Sequence, residues 1–122
     1  MPASRTLVIK TTSGADRPEA CTQALTVAAS AVAAGAEVSL WLTGESSWLA
    51  LPGRAAALDL PHAAPAAELL AAVLEAGTVT LCTQCAARRG IVEADLLPGV
   101  RIAGASSFVE EILAPGVQAL VY

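Results

Sequence analysis

Apolar strand-like runs alternate with longer helix-compatible segments along this chain, which predicts a three-layer α/β/α domain on a parallel or mostly parallel sheet of about five strands. Two further observations point the same way. The joining segments are short and punctuated by Gly and Pro, as crossovers returning each strand in the same direction require. Hydrophobic residues make up 55% of the sequence, enough apolar material to cover a sheet on both faces. At 122 residues the chain forms one domain, residues 1–122.

The elements follow in order. Residues 6–10 (Thr-Leu-Val-Ile-Lys) read as a buried first strand, closed by the turn-like Thr12-Ser13-Gly14. Asp16 is placed to cap a first helix, Pro18 suits its first turn, and Glu19 completes a capping-box spacing. That helix should run to about Ala34 and stop at Gly35. Cys21, Leu25, Ala28 and Val32 recur on its apolar stripe. Residues 37–42 alternate as a second strand, with Val38, Leu40 and Leu42 on one face and Trp41 on the other. Residues 44–65 are the least regular part, with a short helical turn at 45–51 and then a loop broken by Pro52, Gly53, Pro61 and Pro65. A second helix spans 66–76 and ends at Gly77, and a third strand spans 78–82. A turn or two of helix covers 86–90, and a fourth strand 100–103. Ser107 and Glu110 have capping-box spacing for a last helix, stopped by Pro115-Gly116 before a final strand over 117–122.

Composition removes several function classes. The net charge is −4 and the basic residues are scattered apart from Arg88-Arg89, so the electrostatic footprint of a nucleic-acid binder is missing. No apolar run reaches the ~18–20 residues needed to span a bilayer. The first ten residues lead straight into a strand and lack a signal-peptide plan. The expectation is therefore a cytoplasmic protein whose three cysteines are reduced thiols. Only 15% of the residues are charged, and the apolar surface this leaves suggests self-association.

Chemistry concentrates in the stretch Leu81-Cys82-Thr83-Gln84-Cys85-Ala86-Ala87-Arg88-Arg89-Gly90. Two of the three cysteines stand there, where an apolar strand ends. In parallel α/β proteins, ligands and reactive groups gather at the carboxyl ends of strands. Free backbone N–H groups and nearby arginines favour thiolate over thiol, and the thiolate is the nucleophile. Cys82 is the candidate nucleophile and Cys85 the candidate resolving thiol, with Arg88 and Arg89 as supporting cations. If the helix began near Thr83, both arginines would lie one turn beyond Cys85 on its face. Against this, at least one of them is ordinary solvated charge. Cys21 belongs to the core. Glu45 follows the second strand and is placed either to line the same crevice or to act as a solvated cap. The three cysteines and His62 match a Cys₃His zinc set by count, but only Cys82 and Cys85 have ligand spacing, so no metal is expected. Neither phosphate-binding glycine pattern is present, so no nucleotide or other cofactor is expected.

Taken together, Leu81-Cys82-x-x-Cys85-x-x-x-Arg89-Gly90-Ile91, then Leu97-x-Gly99-Val100 and Val117-x-x-Leu120-Val121, resemble the DsrE/DsrF-like family, and within it the YchN-like branch. The resemblance spans the chain and is weakest over 44–65. It implies a five-stranded sheet with helices on both faces, assembly into trimers or hexamers, and exchange with sulfur donor and acceptor proteins. In the sulfur-relay members one cysteine carries a persulfide, and Cys82 matches it because Arg88, Arg89 and Gly90 follow at the same spacing. Cys85 is an addition shared with the YchN-like branch. Three functions follow as alternatives: a persulfide carrier or sulfurtransferase acting through Cys82, a dithiol redox protein acting through Cys82 and Cys85, and a non-catalytic oligomeric binding subunit.

Overall fold

The computed structural model describes residues 5–122; Met1 to Ser4 of the expected domain lie outside the described residues. Five strands, β1 (Thr6–Thr11), β2 (Glu37–Leu42), β3 (Thr78–Cys82), β4 (Val100–Ala103) and β5 (Val117–Val121), form one sheet in the order β4-β3-β2-β1-β5. Every neighbouring pair is parallel. Four α-helices connect them: α1 (Pro18–Ala33), α2 (Ala66–Ala76), α3 (Thr83–Arg88) and α4 (Ala105–Ile112). The expected α/β/α architecture is present.

Strand order decides which helix covers which face. From β1 to β4 the chain steps toward one edge, and then β5 returns to the far side of β1. Right-handed crossovers therefore put α1, α2 and α3 on one face and α4 on the other. Register gives each face its character. Ile9, Leu40, Val79 and Val100 align across four strands beneath the first three helices. They join Leu25, Ala28, Leu70, Val73 and Ala86 in a single apolar core. One residue along, Lys10, Trp41, Thr80 and Arg101 align on the opposite face.

That second face is unusually polar for a parallel sheet, which normally buries apolar residues on both sides. Glu111 of α4 resolves the difficulty. Its carboxylate accepts from the Ser39 hydroxyl, from Trp41 Nε1 at 3.3 Å and from the Arg101 guanidinium. Arg101 Nε also donates to Thr80 Oγ1 at 2.6 Å, and its guanidinium lies 5.6 Å over the Trp41 ring. Phe108 meets Trp41 edge-on, with centroids 5.3 Å apart. Apart from Lys10, the polar row is thus hydrogen-bonded, as burial demands, and it ties α4 to β2 and β4.

Several local expectations need correction. Asp16 does not cap α1: the N-cap is Arg17, and no side chain caps the helix. Asp16 Oδ1 instead accepts the Gly14 N–H at 2.8 Å, closing the turn after β1. Local side-chain to backbone bonds of this kind compete with caps. The third helix starts at Thr83, directly at the end of β3, rather than at Ala86. The last helix starts at Ala105 with Gly104 as N-cap, so the Ser107/Glu110 box is not used. The irregular segment holds 3-10 turns at Gly44–Ala50 and Ala55–Ala57, and Glu93–Asp95 forms another.

Candidate functional site

The strands end on one rim, and three of them meet around the cysteine pair. Cys82, the last residue of β3, shares the parity of Thr80 and so belongs to the α4 face. It is also the N-cap of α3. It is half-buried and lines a cleft of about 290 Å³ between the strand ends, α3 and α4. Cys85 lies on the first turn of α3, is 9% exposed, and borders the same cleft. Both are free thiols, and the Cys82 side chain stands near enough to Cys85 to favour its thiolate.

The group that reaches sulfur from the neighbouring strand end is a backbone amide. Gly44 donates its N–H to Cys85 Sγ at 3.3 Å. Its position follows from a buried polar knot. The Thr43 hydroxyl donates to the Thr11 carbonyl at 2.8 Å, Ser46 Oγ lies 2.9 Å from the same carbonyl, and the Thr43 N–H donates to Ser46 Oγ at 2.9 Å. Gly44 itself has φ of +53°, and a Cβ there would stand 2.5 Å from the Thr12 carbonyl oxygen. Gly14 packs as closely against the Glu45 carbonyl, at 2.4 Å from where its Cβ would be. Two glycines therefore let the loops after β1 and β2 close on each other and aim one N–H at Cys85.

Burial acts to raise the Cys85 pKa, but the Gly44 amide, the Cys82 hydrogen bond and the charges of Arg89 and Arg88 together bring it below the ordinary thiol value of 9.0. The lowered thiol is Cys85, whereas sequence reasoning assigned thiolate activation to Cys82. The arginines divide their work. Arg89 is partly buried and donates to Glu45 Oε2 through Nη2 at 2.7 Å and Nε at 3.1 Å, and to the Cys85 carbonyl at 3.2 Å. Arg88 is exposed. Glu45 therefore holds Arg89 beside the pair.

Cys21 lies apart, fully enclosed beneath the sheet among the core residues. Its pKa is pushed up to about 11 by burial and then by the Asp16 carboxylate. This fixes the sign of an alkaline effect. Folded Cys21 keeps its proton while the unfolded thiol loses it above about 9, so its contribution is fully present below that pH and lost as pH rises to 11. Urea unfolding should register a loss of about 2–3 kcal/mol across that window, and Cys21→Ala should flatten that part of the profile. An equally steep decline in Cys21→Ala would refute the assignment.

His62 has φ of +61° and sits in the exposed 60–64 loop, away from the cysteine pair. Among the described residues no group of three or more His, Cys, Asp or Glu could hold a metal ion. No helix among them is long and apolar enough to cross a membrane. Sequence reasoning missed Gly44, Lys10, Trp41 and Phe108 as parts of the site. The signal available was Thr43-Gly44-x-Ser46 directly after the second strand, because neighbouring strand ends share one rim.

Comparison with known proteins agrees with this geometry. The family model described as the DsrE/DsrF-like family matches residues 6–120. Among solved structures, the ychN protein from E. coli superposes with a TM-score of 0.79 at 17% identity, covering 98% of this chain and 100% of that one. MTH1491 from Methanobacterium thermoautotrophicum, a protein of unknown function, gives 0.66 at 10% identity, with 98% and 100% covered. No curated protein matches. At these identities the structural likeness speaks to the fold.

Proposed function

The chain belongs to the DsrE/DsrF-like family, and from that premise we propose that it carries sulfane sulfur as a persulfide on Cys82. The observation that supports this most is the pairing of an accessible thiol, Cys82, with a neighbour, Cys85, whose thiolate is held by the Gly44 amide. Cys82 attacks the outer sulfur of a persulfide donor, and its proton passes to the neighbouring Cys85 sulfur, whose thiolate form the Gly44 amide favours. The donor S–S bond breaks, the donor thiolate leaves, and a new S–S bond forms on Cys82. An acceptor thiolate then attacks the outer sulfur and releases Cys82 as thiolate, which recovers the proton from Cys85. No net oxidation occurs, and neither metal nor organic cofactor takes part.

The placement of both thiols on one cleft favours a second outcome. Attack of Cys85 on the inner sulfur of a Cys82 persulfide would give a Cys82–Cys85 disulfide and hydrosulfide, which a thiol reductant would reset. Intact mass after incubation with a persulfide donor separates the readings. A gain of roughly 32 Da supports carriage, and loss of roughly two hydrogens supports the dithiol reading. No change on either count would overturn both and leave a binding subunit.

Self-association belongs to the same proposal. Val109 of α4 and its C-cap Leu113 are 45% and 75% exposed, and on edge strand β5 Val121 of the same face is 66% exposed and Leu120 of the other face 39%. This apolar edge suits a second copy of the chain, in keeping with the trimers or hexamers that the family resemblance implies. Light scattering at micromolar concentration should give a multiple of 12.2 kDa, and Leu113→Glu should shift it toward the monomer. A wild-type monomer under those conditions would refute the assembly.

A further inference from the structure

The cleft above the cysteine pair is lined by one cation that has no ionic partner among the described residues. Lys10 stands at the end of β1 in register with Trp41, on the sheet face covered by α4, and its side chain lines the cleft. The polar row has a second cation, Arg101, which is paired with Glu111. Lys10 has no acidic partner among the described residues. Its recorded contact is the face of Phe108, 5.3 Å from Nζ to the ring centroid. A half-buried ammonium loses hydration, and an aromatic face returns only part of it. An anion in the cleft would supply the rest.

The remaining walls describe what such an anion carries. Phe108, the edge of Trp41 and Ala105 give an apolar side, and Cys82 and Cys85 border the same space. At about 290 Å³ the cleft has the volume of roughly ten waters, too small for a folded partner's side-chain cluster and suited to a short molecule. We propose that this cleft binds small organic anions, a carboxylate on Lys10 and a short apolar chain against Phe108, so that a sulfur at the far end of the ligand meets the cysteine pair. The inference rests on the carrier reading for its consequence: the sulfur donor or acceptor would be a low-molecular-weight carboxylate-bearing thiol or persulfide.

Alkylation tests the anion site without any sulfur transfer. The same thiolate displaces iodide from iodoacetate and from iodoacetamide, which differ in charge, so the ratio of the two rates cancels changes in thiol pKa. Relative to an unstructured cysteine peptide, the wild-type ratio should favour iodoacetate by about tenfold, the lower end of what a focused field supplies. Lys10→Met should return the ratio to the peptide value and Lys10→Arg should keep most of it. Where Lys10→Met labels Cys21, and so is unfolded, wild-type protection decides. Millimolar 3-(methylthio)propionate should slow iodoacetamide labelling of Cys82, and 3-(methylthio)propionamide should not. A wild-type ratio equal to that of the peptide, or equal protection by acid and amide, overturns the proposal. Persulfide loading is measured separately: loading with an unchanged ratio removes the anion site alone, and a Lys10-dependent ratio without loading removes the carrier reading alone.

Discussion

Cys82→Ser should abolish persulfide loading, with no gain of roughly 32 Da after exposure to a persulfide donor. The reason is geometric. Cys82 opens onto the cleft at the end of β3, whereas Cys21 is enclosed in the core and has its pKa pushed up to about 11. Removing Cys82 leaves Cys85, which is 9% exposed and packed under the Gly44 amide. Serine replaces the thiol at a half-buried position, so the fold should keep its stability to within about 1 kcal/mol. Cys85→Ser should behave differently. Loading should persist at a lower rate, because Cys82 then has no thiolate neighbour to take its proton, and the intramolecular disulfide should no longer form. Full-rate loading of Cys82→Ser would move the sulfur to Cys85 and reverse the two roles. Iodoacetamide labelling followed by peptide mapping gives an independent order, Cys82 ahead of Cys21.

The sheet was legible because its strands are short apolar runs set between helix-compatible segments, and a strand placed by that pattern does not depend on distant partners. The cysteine pair was legible for the same reason: it stands where a strand ends, and strand ends in parallel sheets face one rim. The thiol that carries the lowered pKa was not. It depends on Gly44, forty-one residues away in sequence, whose amide is aimed by Thr43, Ser46 and the Thr11 carbonyl. Nothing local to Cys85 announces that contact. The polar row under α4 was hidden in a similar way. Ser39 and Thr80 read as ordinary strand residues, and their burial makes sense only once β4 sets Arg101 beside Thr80 and the final crossover brings Glu111 over Ser39. Capping signals failed for a different reason. Asp16 and Ser107 have the right residue types, but Asp16 closes the turn at Gly14 and the last helix starts before Ser107.

Gly44→Ala carries the other large effect, and it tests the amide rather than the sulfur. The residue has φ of +53°, and the added Cβ would lie 2.5 Å from the Thr12 carbonyl oxygen. Backbone strain and the clash together should cost roughly 2–4 kcal/mol in urea unfolding. Gly35 is the control: its φ is +89° but nothing lies within 4 Å of its Cβ position. Gly35→Ala should therefore pay the strain alone, about 1 kcal/mol. The two variants should separate further at the site. Moving the Gly44 N–H away from Cys85 removes the first of the interactions that offset burial, so the Cys85 pKa should rise. The sign for stability follows. In the wild type the lowered pKa stabilises the fold above the unfolded thiol value and that stabilisation is lost as pH falls through the folded value; in Gly44→Ala the dependence should weaken. Thiolate absorbance followed against pH in a Cys21→Ala background reads this directly, with Gly35→Ala titrating like its parent. A Gly44→Ala protein with the parent's thiolate titration would mean that the amide does not hold the thiolate, and that Arg88, Arg89 and Cys82 suffice.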